Sequence, residues 1–206
     1  MIRSIVAGFT LCLLIACITL TGCDNSKKEV IATVVSAQGD VKLRPHKDNE
    51  FIEAKTGASI HNSGILKTGD ESFATVKLLN KGIINFKSDV TFTFESTSEA
   101  DVLQNSGTAI YKIDKNGKGF KAKTPQGVCC VLGTVFSIAV KEEALELRVK
   151  EGIVEFTTNS GETNKVMADQ MLSILPGQKT DLSEPGLADI ESHFADPNQL
   201  VPFNTR

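Results

Sequence analysis

The residues here best suited to thiol or imidazole chemistry are few: five cysteines and three histidines among 206 residues. A thiol beside an imidazole could serve as an activated nucleophile, and several of them together could ligate a metal. Cys129 and Cys130 are adjacent in sequence. Neighbours on a strand point to opposite faces, so the pair is badly placed for an ordinary disulfide. They read as small apolar residues in or near the core. The sharper alternatives are a vicinal disulfide or a reactive thiol. His46, His61 and His193 sit apart, without the spacing of ligands to one metal. No metal and no cofactor is expected, and no residue can be nominated as catalytic.

The other cysteines fall in the first 23 residues. Met1-Ile2-Arg3 gives a short basic start, and Ile5 to Leu20 runs apolar without a charge. A basic start, an apolar run and small residues before a cut describe a secretory signal peptide over residues 1–22. Cys12 and Cys17 would leave with it. Leu20-Thr21-Gly22-Cys23 resembles the lipobox of bacterial lipoproteins. That resemblance implies cleavage before Cys23, lipidation of its thiol (palmitate being the expected acyl group), and a polar tether over residues 23–29. An uncleaved anchor or a plain secretory signal would suit the hydropathy as well, the run being nearly long enough to span a bilayer. Neither accounts for a cysteine at the cut behind two small residues. Acyl chains contribute roughly 0.8 kcal/mol of membrane attachment per buried methylene. The expected location is the bacterial cell envelope, lipid-anchored to a membrane, with the domain facing the periplasm or the cell surface.

Composition narrows the function classes. Without residues 1–22, roughly 180 residues remain, enough for one ordinary domain with a core of its own. Lys and Arg number 22 against 25 Asp and Glu, a formal charge of -3. That balance speaks against nucleic acid, which would want a basic face. Trp is absent and Tyr111 is the single tyrosine. Such a chain is poorly supplied for stacking sugars or bases.

The elements that must carry these residues are strands. Val90 to Glu95 and Leu145 to Lys150 alternate apolar and polar. Ala74, Val76 and Leu78 do the same, as do Phe136, Ile138 and Val140. Period two marks half-buried antiparallel strands. Ile31 to Val35 and Val41 to Leu43 read as a hairpin about Gln38-Gly39-Asp40. Turn signals recur at Lys67-Thr68-Gly69-Asp70, Asn80-Lys81-Gly82, Lys115 to Gly119, Glu151-Gly152 and Asn159-Ser160-Gly161. The pattern predicts an all-β fold, an antiparallel β-sandwich of jelly-roll type, with a β-solenoid as the alternative. The β domain is expected over 30–175. A C-terminal tail over 176–206 follows, with a short helix near Pro185 to Phe194; its apolar Leu200, Val201 and Phe203 favour docking.

Within that domain, Thr124-Pro125, then Val131-Leu132-Gly133-Thr134-Val135-Phe136, resembles the signature of the ferric-citrate regulator (FecR) domain. The family pattern is a Thr-Pro, a short apolar strand, an Arg-Gly-Thr turn and a Phe on the next strand. Leu132 stands where the Arg is usual. Leu66 to Asp70 with Ser72, Ala74 and Val76, and Val149 to Val154 around Glu151-Gly152, fit the family order as well. For Thr124, Pro125, Gly133, Thr134 and Phe136 the expected roles are structural. Proline disfavours helix at the residue before it, glycine admits a positive φ, and threonine can bond back onto a turn.

Well-known members of that family join a cytoplasmic segment that binds a sigma factor to one transmembrane helix and this periplasmic domain, which contacts an outer-membrane transporter. With Met1 to Ser4 alone ahead of the apolar run, anti-sigma activity is not expected. The resemblance implies the binding or sensory module by itself, engaging another envelope protein without catalysis. A peptidoglycan- or glycan-binding module and a thiol enzyme using Cys129 or Cys130 are the other classes the residues leave open.

Overall fold

The computed structural model describes residues 29–115 and 118–194. The signal-like segment, Cys23 and most of its tether, Asn116-Gly117 and the tail beyond Phe194 lie outside the described residues. In chain order the first strands are β1 (Val30–Gln38), β2 (Val41–Arg44), β3 (Ile52–Glu53), β4 (Ser59–His61), β5 (Gly64–Thr68) and β6 (Phe73–Leu78). Next come β7 (Gly82–Phe86), β8 (Thr91–Phe94), β9 (Val102–Ile113), β10 (Phe120–Thr124), β11 (Gly127–Val131) and β12 (Val135–Lys141). Last are β13 (Ala144–Glu151), β14 (Ile153–Thr158), β15 (Thr163–Met167), β16 (Met171–Ile174), β17 (Asp181–Ser183) and a helix, α1 (Leu187–Phe194).

The chain forms the expected all-β antiparallel architecture. Sheet I runs β4-β1-β6-β7-β9-β12-β13-β16-β17. Sheet II runs β3-β2-β5-β8-β9-β10-β11-β14-β15. Among the described pairings, β9 with β10 alone is parallel. From β10 onward, successive hairpins fall alternately on sheet II and sheet I. Both sheets therefore grow in one direction as the chain advances, with the stepwise character of a solenoid.

Alternation explains the layers. Phe92 and Phe94 of β8, Phe86 of β7, Tyr111 of β9, Phe120 of β10 and Phe136 of β12 all point inward and are fully buried. Rings from the two sheets meet directly: Phe86 lies 4.7 Å edge-on from Phe92, and Tyr111 lies 6.0 Å from Phe120. Within sheet I, Tyr111 stacks on Phe136 at 4.6 Å. Burying each such side chain contributes about 1.5–3 kcal/mol.

Strand β9 belongs to both sheets. Its first half pairs with β8 and β10, its second half with β7 and β12. Gly107 sits at the passage, with φ of 83°. A Cβ there would lie 2.6 Å from the Val90 Cα, closer than atoms can pack. Gln104, fully buried, completes the junction. Its side-chain amide donates to the carbonyls of Gly107 at 2.8 Å and Ile138 at 3.0 Å, and its Oε1 accepts from the Tyr111 hydroxyl at 2.7 Å.

The expected hairpin of β1 with β2 is not formed. β1 pairs with β4 and β6 in sheet I, while β2 pairs with β3 and β5 in sheet II. The Gly39-Asp40 turn is a corner between sheets, held by the Asp40 amide donating to Ser72 Oγ at 2.8 Å. Both strands carry apolar residues for the one core, which a flat hairpin could not deliver to it from two sides. Beyond Leu175, β17 pairs with β16. α1 then covers the outer face of sheet I, where Ile190 and Phe194 bury against Ile110 and Val135. Asp189, in the first turn of α1, forms an ion pair with Arg148 of β13.

Gly107→Ala should destabilise the protein by at least about 2 kcal/mol, from the left-handed backbone and the Val90 contact. Tyr111→Phe should cost about 1–3 kcal/mol by leaving Gln104 Oε1 unpaired. Urea unfolding of the two variants reads both values. A loss below the error of the transition in either would contradict the role given to the β9 junction.

Candidate functional site

The signature residues surround the second half of the chain's core. Thr124 ends β10, and its Oγ1 accepts from the amide of Gly127 at 3.2 Å, closing the β10–β11 hairpin around Pro125 and Gln126. Pro125 itself is exposed, and its carbonyl accepts from Asn159 Nδ2 at 2.6 Å, tying this hairpin to the β14–β15 turn. Gly133, with φ of 106°, sits so close to Lys115 that a Cβ would lie 2.8 Å from the Lys115 Cα. Thr134 holds two neighbours: its carbonyl accepts from the Ile113 amide at 3.0 Å, and its Oγ1 donates to the Ile153 carbonyl at 3.2 Å. Phe136 is the buried ring under Tyr111.

Next to the Gly133-Thr134 turn, the outer face of sheet II hollows into a cleft of about 790 Å³. Its floor is one row across four strands: Lys121 of β10 opposite Cys130 of β11, Cys130 opposite Glu155 of β14, Glu155 opposite Lys165 of β15. Lys81, Asp101 and Lys118 also line it. Asp101 forms an ion pair with Lys81, and its Oδ2 accepts from the Lys121 amide at 2.8 Å. Leu132 and Ile153 form the lip, and Met167 lies across the ladder from Ile153. These three are 71%, 54% and 51% exposed, large apolar side chains held in water by the backbone turns that carry them.

Residues 65–155 match the family described as FecR protein. Over that stretch, and no further, the chain is similar to the FecR family. The match runs from β5 into β14 and takes in the signature and most of the cleft. Two crystal structures of a "putative anti-sigma factor" from Parabacteroides distasonis ATCC 8503, at 1.65 and 2.50 Å resolution, are similar in fold. Both superpose with a TM-score of 0.55 at 16% identity; the first similarity covers 63% of each chain and the second 62%. The shared part is therefore less than two thirds of those proteins. No curated protein matches the chain.

In the FecR-like stretch the two cysteines part as strand geometry requires. Cys129 is buried in the core and Cys130 is half-buried on the cleft floor, both as free thiols. Burial pushes the Cys129 thiol far above its usual value, and the neighbouring Cys130 adds to this. Burial also raises Cys130; Lys121 opposes and Glu155 reinforces the shift. Neither is poised as a thiolate near neutral pH. The histidines lie elsewhere: His46 pairs with Asp48 at 3.0 Å, and His61 Nδ1 sits 3.1 Å from the Glu29 carbonyl. His193 lies over sheet I, the face opposite to Cys130. Among the described residues no three His, Cys, Asp or Glu side chains gather as a metal site.

His193 makes a hydroxyl–imidazole contact, its Nε2 2.8 Å from Ser137 Oγ. A serine beside a histidine is the geometry of an activated nucleophile. Ser137, however, is only 2% exposed, and it points from β12 into the seam under α1. Asp189, which could orient the ring from the same helix, is engaged by Arg148. The pair acts as a clasp for the helix. Sequence inspection missed it because Ser137 reads as the polar side of an alternating strand.

Burial lowers the His193 pKa below its usual 6.5; Lys87 and Arg148 lower it further, against Glu146 and Asp189. The docked helix therefore binds fewer protons than the undocked one. Its docking should be strongest above pH 6.5 and weaken as pH falls from there through the lowered value. Amide exchange over 187–194, corrected for intrinsic rate, should report this, and His193→Gln should remove the pH dependence. For the thiols, native maleimide labelling should modify Cys130 slowly, at a rate still rising as pH passes 9, and spare Cys129 until unfolding. Fast native labelling of Cys129 would disprove its core position.

Proposed function

We propose that this chain is a non-catalytic lipoprotein of the bacterial envelope whose FecR domain binds another envelope protein. The observation that carries the reading is the lip of Leu132 and Ile153 beside the signature turn, with exposed Met167 across the ladder from Ile153. Exposed apolar side chains gathered at one edge of a cleft mark interaction sites on soluble domains. The FecR match supports a regulatory or binding role, and the thiols and the Ser137–His193 pair have structural explanations. The anti-sigma description stays with the structural relatives, which share a fold at 16% identity.

Anchoring rests on the sequence pattern ending in Cys23. In this reading the mature chain hangs from lipid on Cys23, the β domain follows from residue 30, and the cleft faces the envelope space. A lipid-held domain searches for partners along a surface, so even a modest intrinsic affinity gives substantial occupancy there.

Cys23→Ser should move the protein from the detergent phase to the aqueous phase on Triton X-114 partitioning. Cross-linking in living cells should capture one envelope protein with the anchored form and markedly less of it with Cys23→Ser. Unchanged partitioning would remove the lipid anchor from the proposal. Capture of peptidoglycan fragments in place of protein would replace the protein partner with a glycan.

A further inference from the structure

The cleft differs from the rest of the molecule in charge. The whole chain is acidic, with a formal charge of -3. Yet Lys81, Lys118, Lys121 and Lys165 face into the cleft against only Asp101 and Glu155. Asp101 is already engaged twice, by Lys81 and by the Lys121 amide. Lys121 is also oriented, its Nζ donating to the Ser98 carbonyl at 2.9 Å. The excess of positive charge thus borders directly on the apolar lip. A volume of about 790 Å³ lies within the range of sites that enclose a ligand.

We infer that this cleft receives an acidic polypeptide segment of the partner, one aliphatic side chain of which packs on Leu132 and Ile153 while its carboxylates meet Lys118, Lys121 and Lys165. The inference rests on the proposed protein-binding role and adds the surface and the chemistry of what it binds. Three alternatives fit the same site less well. A sugar wants an exposed aromatic plane, but Tyr111 and Phe120 are fully buried and the chain has no Trp. A bilayer is flat where this surface is hollow. A nucleic acid would meet an acidic molecule beyond the cleft's edge. An acidic-and-aliphatic peptide satisfies both halves of the surface together.

Cys130 provides a built-in reporter, since it lies half-buried on the floor between Lys121 and Glu155. The test uses the full lipidated chain in detergent micelles and labelled ten-residue peptides of alternating Asp and Leu, Lys and Leu, or Asp and Ser. Anisotropy should show binding of the Asp-Leu peptide only, and that peptide should slow maleimide labelling of Cys130. Lys165→Glu combined with Leu132→Glu, both at exposed positions, should weaken binding at least about tenfold. Raising ionic strength from about 0.05 to about 0.5 M should weaken it as well.

The assignment is overturned by equal binding of the Lys-Leu or Asp-Ser peptide, or by unchanged affinity in the double variant. It is equally overturned by no Asp-Leu binding at about 1 mM, a level at which a specific contact would register. A soluble muropeptide binding in place of the peptides would transfer the cleft to a glycan. Photo-cross-linkers at Leu132 and at Leu182, exposed on β17, separate this failure from failure of the protein-binding role. Capture from position 182 alone leaves the role intact and removes the cleft; capture from neither position removes both.

Discussion

A single strand that must serve two sheets is the constraint on which the rest of this structure depends. β9 leaves sheet II and enters sheet I at Gly107, and the buried Gln104 amide joins that bend to β12 and to Tyr111. An unpaired amide group at that depth would cost on the order of 1–3 kcal/mol per lost partner. All of its strong groups are paired, so the crossing is held in one geometry. The consequence reaches far along the chain. Because β9 also pairs in parallel with β10, it fixes where the β10–β11 hairpin begins, and through it the cleft floor.

The signature residues belong to this scaffold. Thr124 closes a hairpin, Gly133 fits against Lys115, Thr134 joins β9 to β14, and Phe136 fills the core beneath Tyr111. None offers a reactive group to solvent. What they do is hold the Leu132 and Ile153 turns side by side, so that apolar side chains stay exposed beside the cleft lysines. Leu132, the position where the family pattern has Arg, is the most exposed of these. The fold by itself does not fix what such a lip binds.

Much of the architecture was legible from local pattern. The alternation over Val90 to Glu95, 136 to 140 and 145 to 150 corresponds to β8, β12 and β13, and the helix near the C-terminus to α1. The opposite fates of Cys129 and Cys130 follow from strand geometry alone. The junction was not legible. Val102 to Ile113 contains Gln104, Asn105, Ser106 and Gly107, which look like a break in a strand, although they are the bend of the longest one. Nor was the corner at Gly39-Asp40, where a turn sequence separates sheets that a hairpin would have joined. The cleft lysines are spread from Lys81 to Lys165 and form no run that a reader could notice.

Taken alone, the residue order determined which segments are strands, which side of each is apolar, and where tight turns fall. Those properties depend on neighbours one to four positions apart. Tertiary structure decided which strand pairs with which, that sheets I and II share β9, that Ser137 and His193 meet, and that four distant lysines border one apolar lip. Pairing depends on contacts between distant residues, whose free energy includes loop closure and the fit of a common core. Many registers satisfy the same alternation, and only the packed core selects among them.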